Sequence, residues 1–587
     1  MEYGHANLAF SARLLASAVR SGLGHVVICP GSRSTPLALA AALHPGLTTY
    51  VLIDERSAAF FALGMARQLG EPVALICTSG TAAANFAPAV IESYLSRVPL
   101  LVLTADRPAE LRDWGASQTI DQVGLYGSHT RWSRDVPAPV GDAMEVRFAR
   151  AVATRAMKLA SGPPAGPVHL NIQYREPLIP PDSDPLGILQ DLYASDGGVP
   201  GTQTRSPDPS PSDLERLASL VKSNPRGIIV CGPHTGPKLG AAAAALSAQT
   251  GYPCLADPLS TVRFEWPAPS GLIDAYDLFL RDPRLAATLT PDLVLRLGGM
   301  PTSKPLTQYL GRQEAPVIVV DPGPLRDPGH AAAWHLVADE VTTVNALASE
   351  LDGNSPGRED WLPRWAAINA RTRHAIDTNI ASTLTLTEPV IAASIVDVLP
   401  AGSTLVVGNS MPVRDIDTFA AGGNRDLRVT GTRGASGIDG VTSTALGAAA
   451  VADLPVVLLV GDLSFLHDLG GLQAARYARV PVVIVVVNNN GGGIFSFLPQ
   501  HTQVGSGTFE LLFGTPADVD IQGAAELFGC MYHRPASLHE LRSAFRHGLA
   551  EQGVTIVEVR TDREENLALH RRIAAAALAE LADQQLP

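Results

Sequence analysis

Asp462 and Asn489 are the two side chains whose types and spacing point most directly to chemistry in this chain. Each follows a short, β-branched, nearly uncharged run, at 455–460 in the first case and 481–487 in the second. Such runs are typical of buried parallel strands, whose carboxyl ends meet at one edge of a sheet. The Asp462 carboxylate and the Asn489 amide oxygen are therefore expected at the same edge of one sheet. Because three glycines follow Asn490, backbone can also approach a ligand closely, and the combination favours a small oxygen-liking cation such as Mg²⁺.

The spacing between Asp462 and Asn489 is a more specific signal than either of the dipeptides around them. Gly-Asp and Asn-Gly each also occur as ordinary turns at strand ends. A separation of 27 residues with one helix between the strands, however, resembles the metal–diphosphate motif of thiamine-diphosphate enzymes. In that family the Asp, the second Asn and the carbonyl two residues later hold the metal. The resemblance thus implies Mg²⁺ or Mn²⁺ on Asp462, Asn489 and Gly491.

Three blocks of the chain alternate short apolar runs with helical patterns, which predicts a parallel sheet covered by helices in each block. The runs of the first block are at 25–30, 48–54, 72–77, 99–104 and 167–172. Those of the second are at 227–231, 254–256, 293–297, 317–321 and 335–338, and those of the third at 404–407, 427–430, 456–460, 482–487 and 555–559. We expect an α/β chain with three doubly wound parallel-sheet domains of the thiamine-diphosphate enzyme type.

The segments between the blocks predict where the domains end. Residues 180–212 are rich in Pro, Asp, Gly and Ser, and a helical pattern near 361–383 leads to the third block. The expected division is a pyrimidine-binding domain over 1–185, a linker over 186–212, a central α/β domain over 213–355, a linker helix over 356–384 and a diphosphate-binding domain over 385–587.

Composition argues against several other classes of protein. With 44 Lys and Arg against 57 Asp and Glu, the net charge is −13, and an acidic chain without a basic block is a poor candidate for binding nucleic acid. The start of the sequence lacks the pattern of a signal peptide, and no apolar run approaches the ~18 residues that span a membrane. Five cysteines without a CxxC pair argue against a disulfide framework. We expect a reduced, cytoplasmic protein.

Longer strings along almost the whole chain resemble one family of thiamine-diphosphate enzymes. They are PGSRSTP at 30–36, DER at 54–56, TSGT at 78–81, ADRP at 105–108, GMPTSK at 299–304, GNSMPVRD at 408–415, RGASGIDG at 433–440 and GDLSFLHD at 461–468. The family is that of the 2-succinyl-5-enolpyruvyl-6-hydroxy-3-cyclohexene-1-carboxylate synthases of menaquinone biosynthesis, and the strings occur in its order. GASGIDG and GNSMP are specific to it, whereas the GD…NN pair marks the wider superfamily.

The resemblance implies a transferase reaction between two small molecules. Thiamine diphosphate attacks the keto carbon of 2-oxoglutarate and CO₂ leaves. The resulting succinyl carbanion equivalent then adds in 1,4 fashion to isochorismate. Both substrates carry two carboxylates, which arginine forks suit well.

Glu55 opens a predicted helix behind the run at 48–54. An acid in a first helical turn is also explained by the helix macrodipole alone. Thiamine-diphosphate enzymes carry a glutamate at the matching place, hydrogen-bonded to the aminopyrimidine ring of the cofactor. The resemblance therefore implies that Glu55 is catalytic and binds the cofactor, favouring the tautomer whose nitrogen takes up the C2 proton.

The remaining site residues also follow from the resemblance. Those implied to bind substrate are Ser32, Arg33, Arg107, Gln118, Lys304, Ser410, Arg414 and Arg433. Those implied to contact the cofactor beyond the metal ligands are Ile438 as a wedge, Leu463 and Ser464 at the diphosphate, and Ile494 and Phe495 in the pocket. Singly, the charged residues are also explained as solvated surface charges and the apolar ones as core. Ser117 departs from the family, which often has asparagine there, so no contact is expected from it.

The superfamily builds one site from two subunits. The resemblance implies a homodimer in which Glu55 and Asp462 come from different chains, with a tetramer as the larger alternative. Two other functions fit part of the sequence: an acetolactate-type synthase or another thiamine-diphosphate 2-oxoacid decarboxylase, and a non-catalytic cofactor-binding protein. The GNSMP and GASGIDG strings argue against the first, and the intact Glu55, Asp462 and Asn489 argue against the second.

Overall fold

The structure, a computed structural model, describes residues 3–181, 184–194, 206–233, 236, 238–268, 270–351 and 359–582. Within these residues the chain forms three six-stranded sheets whose paired strands all run parallel. The α/β class with three parallel-sheet domains is thus confirmed. Residues 182–183, 195–205 and 356–358 of the predicted domains and linkers lie outside the described residues, and the predicted domain boundaries remain predictions.

The first sheet has the strand order β2-β1-β3-β4-β6-β5. Its strands are β1 His25–Ile28, β2 Thr48–Val51, β3 Val73–Cys77, β4 Leu100–Asp106, β5 Trp132–Val136 and β6 Pro167–Gln173. The accompanying helices are α1 Tyr3–Arg20, α2 Thr35–Leu43, α3 Glu55–Leu69, α4 Thr81–Asn85, α5 Ala87–Ser96, α6 Ala143–Ser161 and α7 Pro185–Ala194. All residues of β3, β4 and β6 are buried; β3 is apolar throughout, whereas β4 and β6 also bury polar side chains such as His169 and Asn171.

The second sheet has a different order, β12-β11-β10-β7-β8-β9. Its strands are β7 Gly227–Cys231, β8 Cys254–Ala256, β9 Leu272–Ile273, β10 Leu293–Leu297, β11 Val317–Val320 and β12 Ala332–Leu336. The helices are α8 Pro211–Ser223, α9 Leu239–Thr250, α10 Tyr276–Phe279, α11 Pro283–Thr288, α12 Lys304–Leu310, α13 Glu340–Glu350 and α14 Trp361–Ala381. The loops after β7 and β10 meet: the Gly299 N–H donates to the carbonyl of Pro233 at 2.9 Å, and a Cβ on Gly232 would stand 1.8 Å from the Gly299 carbonyl oxygen.

The third sheet repeats the topology of the first, with the order β14-β13-β15-β16-β18-β17. Its strands are β13 Thr404–Val407, β14 Arg428–Thr430, β15 Val456–Gly461, β16 Val482–Asn488, β17 Met531–His533 and β18 Val554–Arg560. The helices are α15 Glu388–Val398, α16 Met411–Phe419, α17 Val441–Ala449, α18 Asp462–His467, α19 Gln500–Gln503, α20 Ser506–Phe509, α21 Ile521–Leu527, α22 Leu538–Ala550 and α23 Arg563–Ala582. Tighter turns cover Leu469–Tyr477 and Gly493–Phe497, and a π-helical turn covers Glu510–Gly514.

Each sheet contains one strand that the sequence patterns did not predict: β5, β9 and β17. All three are edge strands of their sheets, as are β2, β12 and β14, which the apolar runs did predict. An edge strand is only half covered, so it carries polar residues, as in WSRDV of β5, or is very short, as in the two residues of β9. A search for continuous apolar runs misses such strands for that reason.

The described residues form two compact units. The first comprises those within 1–205, 432–453 and 467–480, so α17 and the turn Leu469–Tyr477 pack with the first sheet. There α3 and α17 approach closely, since a Cβ on Gly64 would stand 2.0 Å from the Thr444 carbonyl oxygen. The second unit comprises those within 206–431, 454–466 and 481–587. None of the described helices combines the length and apolar character that a bilayer crossing requires.

Candidate active site

Asp462 lies where β15 ends and α18 begins, beside the loop that follows β16. In the strand register Gly461 pairs with Val487, so the two strand ends are level. The Asp462 carboxylate is 3% exposed, and it accepts the N–H of Leu463 at 2.8 Å and the N–H of Gly491 at 2.9 Å. The predicted meeting of Asp462 with the loop after β16 is therefore present.

Asn489 presents an unsatisfied oxygen at this place. Its Nδ2 donates to Glu388 Oε1 at 2.7 Å, whereas its buried Oδ1 has no hydrogen-bond partner among the described residues. Buried polar atoms normally have hydrogen-bond partners, so an unpaired buried amide oxygen indicates a binding site for another group. A hard cation would satisfy that oxygen together with the Asp462 carboxylate, and the residues present fit Mg²⁺ or Mn²⁺.

Gly491 has a backbone that other residues rarely adopt. Its φ is +145°, and a Cβ built on it would stand 2.0 Å from the carbonyl oxygen of Gly514. The next residue, Gly492, donates its N–H to that same carbonyl at 2.8 Å. Because Gly491 has no side chain, the loop can pack closely against the π-helical turn, and a ligand can approach the backbone of this predicted third metal ligand.

Burial dominates the electrostatics of the loop. It raises the pKa of Asp462, against the effect of the backbone donors Leu463 and Gly491 and of Arg563. A bound cation would act in the opposite direction and favour the ionised carboxylate. A cavity of about 640 Å³ beside the loop is lined by Asn489, Asn490 and Arg563 among others, and its lining does not include Asp462.

A buried acidic pair lies behind Asn489. Burial, with help from Asp415, raises the pKa of Glu388 to about 7, and burial raises that of Asp415 well above its usual value. His570 Nε2 lies 3.3 Å from Asp415 Oδ1, and burial lowers the pKa of His570 to about 4, so the ring is neutral at pH 7. Glu388 Oε1 accepts from Asn489 Nδ2 at 2.7 Å.

The other predicted cofactor residues of the second unit surround the same loop. Leu463 and the buried Ser464 form the first turn of α18 directly after Asp462. Ile494 and Phe495 lie in the turn that follows the glycines, where both are half-buried and the Phe495 ring packs 5.5 Å from that of Phe513.

Glu55 is the first residue of α3, and its position is fixed by the helix cap. Asp54 is the N-cap and accepts the N–H of Ser57 at 3.2 Å. Arg56 donates to the carbonyl of His467 at 2.9 Å within the first unit. The Glu55 side chain is half-buried.

Arg33 and Arg107 form the cationic part of the first unit's predicted substrate residues. Arg33 is buried, paired with Glu176 at 2.7 Å and donating to the carbonyl of Tyr174 at 3.0 Å. Arg107 donates to the Gln118 carbonyl at 2.9 Å and to Ser79. Burial and the nearby charge of Arg33 lower the pKa of Arg107.

Gln118 and Ser32 are exposed beside these arginines. Gln118 has a φ of +54° and donates its Nε2 to the Ser79 carbonyl at 3.0 Å, which fixes the amide over the loop. Ser32 lies in the turn before α2, where its carbonyl accepts from Thr35.

The loop that carries Arg433 and Ile438 is held by a carboxylate that the sequence patterns did not indicate. Glu92 on α5 is buried, and it accepts the N–H of Gly434 at 3.0 Å and of Ala435 at 2.7 Å. Its third partner is Arg67 at 3.3 Å. Ile438 is 41% exposed, so ordinary core packing does not explain it.

Lys304, Ser410 and Arg414 lie in the second unit at helix N-termini. Lys304 is the exposed first residue of α12, whose cap Ser303 donates to Asp277 at 2.7 Å. Ser410, with φ +69°, precedes α16, and Arg414 on that helix donates to the Ser410 carbonyl.

The structure therefore groups the predicted residues by unit. The first unit contains Ser32, Arg33, Glu55, Arg107, Gln118, Arg433 and Ile438, and the second contains Lys304, Ser410, Arg414, Asp462, Leu463, Ser464, Asn489, Gly491, Ile494 and Phe495. Glu92 and Glu388 were not predicted. Both act on residues more than 100 positions away, and neither carried a local signal, since an acid on a helix is ordinary.

Comparison with known protein families matches three parts of the chain. Residues 10–125 match the thiamine pyrophosphate enzyme N-terminal TPP binding domain, 204–407 the middle domain of thiamine pyrophosphate enzymes, and 425–559 the C-terminal TPP binding domain. A solved structure of a Rhodococcus jostii RHA1 thiamine diphosphate-dependent 4-hydroxybenzoylformate decarboxylase superposes with a TM-score of 0.68, covering 94% of this chain and 99% of its own. Its identity is 19%, so this likeness concerns the fold alone.

Similar proteins of known name cover nearly the whole chain. One from Geobacillus kaustophilus (strain HTA426) is 44% identical over 96% of this chain and 96% of its own. One from Chloroflexus aurantiacus (strain ATCC 29366 / DSM 635 / J-10-fl) is 45% identical over 96% and 95%, and one from Myxococcus xanthus (strain DK1622) is 45% identical over 98% of each. All three are named 2-succinyl-5-enolpyruvyl-6-hydroxy-3-cyclohexene-1-carboxylate synthase.

Proposed function

This chain belongs to the 2-succinyl-5-enolpyruvyl-6-hydroxy-3-cyclohexene-1-carboxylate synthase family, and from that premise we propose that it joins 2-oxoglutarate to isochorismate with loss of CO₂. It is a transferase of menaquinone biosynthesis that uses thiamine diphosphate with a divalent cation. The observation that carries the choice of reaction is an identity of 44–45% that extends over at least 96% of the chain, the central block included.

The loop after β16, residues 489–493, is called the metal loop below. Together with Asp462 it would bind the diphosphate end of the cofactor. Asp462 and Asn489 supply oxygen ligands, with the bare backbone of Gly491 beside them. When bound, thiamine diphosphate supplies the nucleophilic carbon and the electron sink for decarboxylation. Glu55 would hydrogen-bond the ring nitrogen of the aminopyrimidine and share a proton with it, as carboxyl groups do in general acid–base catalysis.

The basic residues would bind the substrate carboxylates. Arg33 and Arg107 would supply positive charge for a dicarboxylate, since guanidinium groups suit carboxylates. Gln118 and Ser32 add hydrogen bonds beside them. Lys304, Arg414 and Arg433 complete the positive charge in a protein whose net charge is −13.

We further propose a homodimer with shared sites, Glu55 of one chain facing Asp462 of the other. A cytoplasmic location is proposed on chemical grounds, because all five cysteines carry free thiols.

An assay of the purified chain with 2-oxoglutarate and isochorismate tests the function. Mass spectrometry should detect the condensed product and released CO₂, dependent on both thiamine diphosphate and Mg²⁺. Pyruvate in place of 2-oxoglutarate should give no turnover. Turnover of pyruvate instead would identify an acetolactate-type enzyme, and cofactor binding without turnover of either acid would identify a non-catalytic protein.

A further inference from the structure

Asn489 can serve a cation only if its amide points the right way. The two ends of an amide have nearly the same shape, and a half-turn exchanges the oxygen for the NH₂ group. A cation requires the oxygen, so some partner must fix the orientation.

Glu388 is that partner in the structure. Its Oε1 lies 2.7 Å from Asn489 Nδ2, and the Glu388 side chain is 4% exposed. The opposite orientation would place the amide oxygen against a carboxylate oxygen, and two acceptors repel. We propose that Glu388 is a positioning residue of the metal site, which fixes Asn489 so that Oδ1 faces the cation. The inference rests on the proposed use of a metal and deepens it.

The position of Glu388 is itself well determined. It is the first residue of α15, which contacts α16, α22 and α23. Asp415 on α16 lies beside it, backed by His570 of α23 at 3.3 Å. A buried carboxylate on a helix packed in this way gives a fixed reference point for the orientation of the Asn489 amide.

The neighbouring residue provides a comparison within the same loop. Asn488 donates its Nδ2 to Glu558 Oε1 at 2.8 Å, the same contact one residue earlier. Its Oδ1, however, accepts the N–H of Asn490 at 3.1 Å. Both amides are oriented by a glutamate, but the oxygen of Asn489 alone of the two has no donor among the described residues.

Binding of Mn²⁺ tests the proposal without any reliance on turnover. Free Mn²⁺ is measured by electron paramagnetic resonance with the full chain and saturating thiamine diphosphate. Glu388→Met should raise the Kd for Mn²⁺ by about 10- to 100-fold, the usual effect of losing an outer-shell partner. Glu388→Gln should restore most of the affinity, because its carbonyl still accepts from Asn489 while its NH₂ can face Asp415.

Glu558→Met is the matched control, and it should leave the Kd for Mn²⁺ unchanged. If Glu388→Met does not fold, Glu388→Asp takes its place, since the shorter side chain keeps the charge but withdraws the acceptor. Wild-type affinity for Mn²⁺ in whichever variant folds would overturn the proposal, as would an equal loss in Glu558→Met. A wild-type chain that binds Mn²⁺ but lacks synthase activity would refute the proposed function and leave this inference standing.

Discussion

Single side chains in this protein differ most in whether their polar atoms are paired. Both carboxylate oxygens of Asp462 accept backbone N–H groups. The Asn489 amide donates through Nδ2 to Glu388, whereas its Oδ1 has no hydrogen-bond donor among the described residues. The orphaned atom is the one that the sequence pattern assigned to a metal. Two independent observations, spacing and an unsatisfied buried atom, thus indicate the same ligand.

His169 leads to a prediction about pH. It is buried on β6, with Nε2 2.8 Å from Thr104 Oγ1 and Nδ1 3.3 Å from Ser133 Oγ. Burial lowers its pKa from 6.5 to about 4. As the pH falls below 6.5, the imidazole is protonated in the unfolded chain but stays neutral in the folded one. The free energy of unfolding therefore decreases between pH 6.5 and about pH 4, by about 3 kcal/mol in total.

His169→Gln should therefore flatten the acid side of the stability profile. The drop in Tm between about pH 7 and about pH 5 should be smaller in the variant than in wild type, because glutamine takes up no proton. The exposed His539→Gln serves as the control and should follow wild type. Equal drops in all three proteins would show that His169 is not held neutral in the fold.

The sequence pattern alone marked candidate site residues where they follow apolar runs, as Asp462, Asn489 and Glu55 do. The other predicted site residues rested on the resemblance to a family. Glu92 and Glu388 act through contacts made by the folded chain, with nothing in their neighbouring residues to mark them. Residues that hold other residues in place are therefore the part of a site that a single sequence conceals.

Among the elements, the loop after β16 is the one most tightly fixed by its neighbours. Gly492 donates to the Gly514 carbonyl, and the Asn490 side chain donates to Asp518 and accepts from the N–H groups of Ala517 and Asp518. The segment from the π-helical turn to Asp518 thus shapes the metal loop from outside.

Gly491→Ala should damage this loop specifically. Its φ of +145° is a conformation that costs a side chain on the order of 1–3 kcal/mol, and the added Cβ would meet the Gly514 carbonyl oxygen at 2.0 Å. We expect Mn²⁺ binding to be lost while circular dichroism of the whole chain is unchanged. Gly505→Ala, with open space around its Cβ, is the control. Normal Mn²⁺ affinity in Gly491→Ala would mean that the loop can relax without consequence.

The strands show which elements can be predicted from a single sequence and which cannot. Fifteen of them overlap predicted apolar runs, and twelve of these fifteen are central strands, which are covered on both faces and tend to be apolar. The three that were missed, β5, β9 and β17, are edge strands that are either polar, as in β5, or only two or three residues long.

At the level of the whole molecule, the first and third sheets share one strand order. In such sheets ligands bind beyond the carboxyl ends of the strands, where the direction of winding reverses. The loops after β1 and β3 carry Arg33 and Ser79, and those after β13 and β15 carry Ser410 and Asp462. The first and third sheets thus carry predicted site residues at equivalent edges.

A complementation experiment tests whether these edges meet across two chains. Glu55→Gln and Asp462→Asn should each abolish turnover alone. Dimers reassembled from equal amounts of both variants should regain about a quarter of the wild-type sites, since half are mixed and each mixed dimer has one intact site. Each variant reassembled with itself is the control, and light scattering gives the size. Activity in a monomer, or none in the mixture, would contradict the shared site.

The contact of Gly232 with Gly299 lies at the switch point of the middle sheet. Counted within its own block, that sheet has the strand order 3-2-1-4-5-6, which is the order of dinucleotide-binding folds. In those folds the crevice between strands 1 and 4 receives the pyrophosphate. Here the backbones that follow strands 1 and 4 approach each other at that point and are joined by a 2.9 Å hydrogen bond from Gly299 to Pro233. A side chain at residue 232 would meet the Gly299 carbonyl oxygen, so this close approach of two backbones requires glycine there.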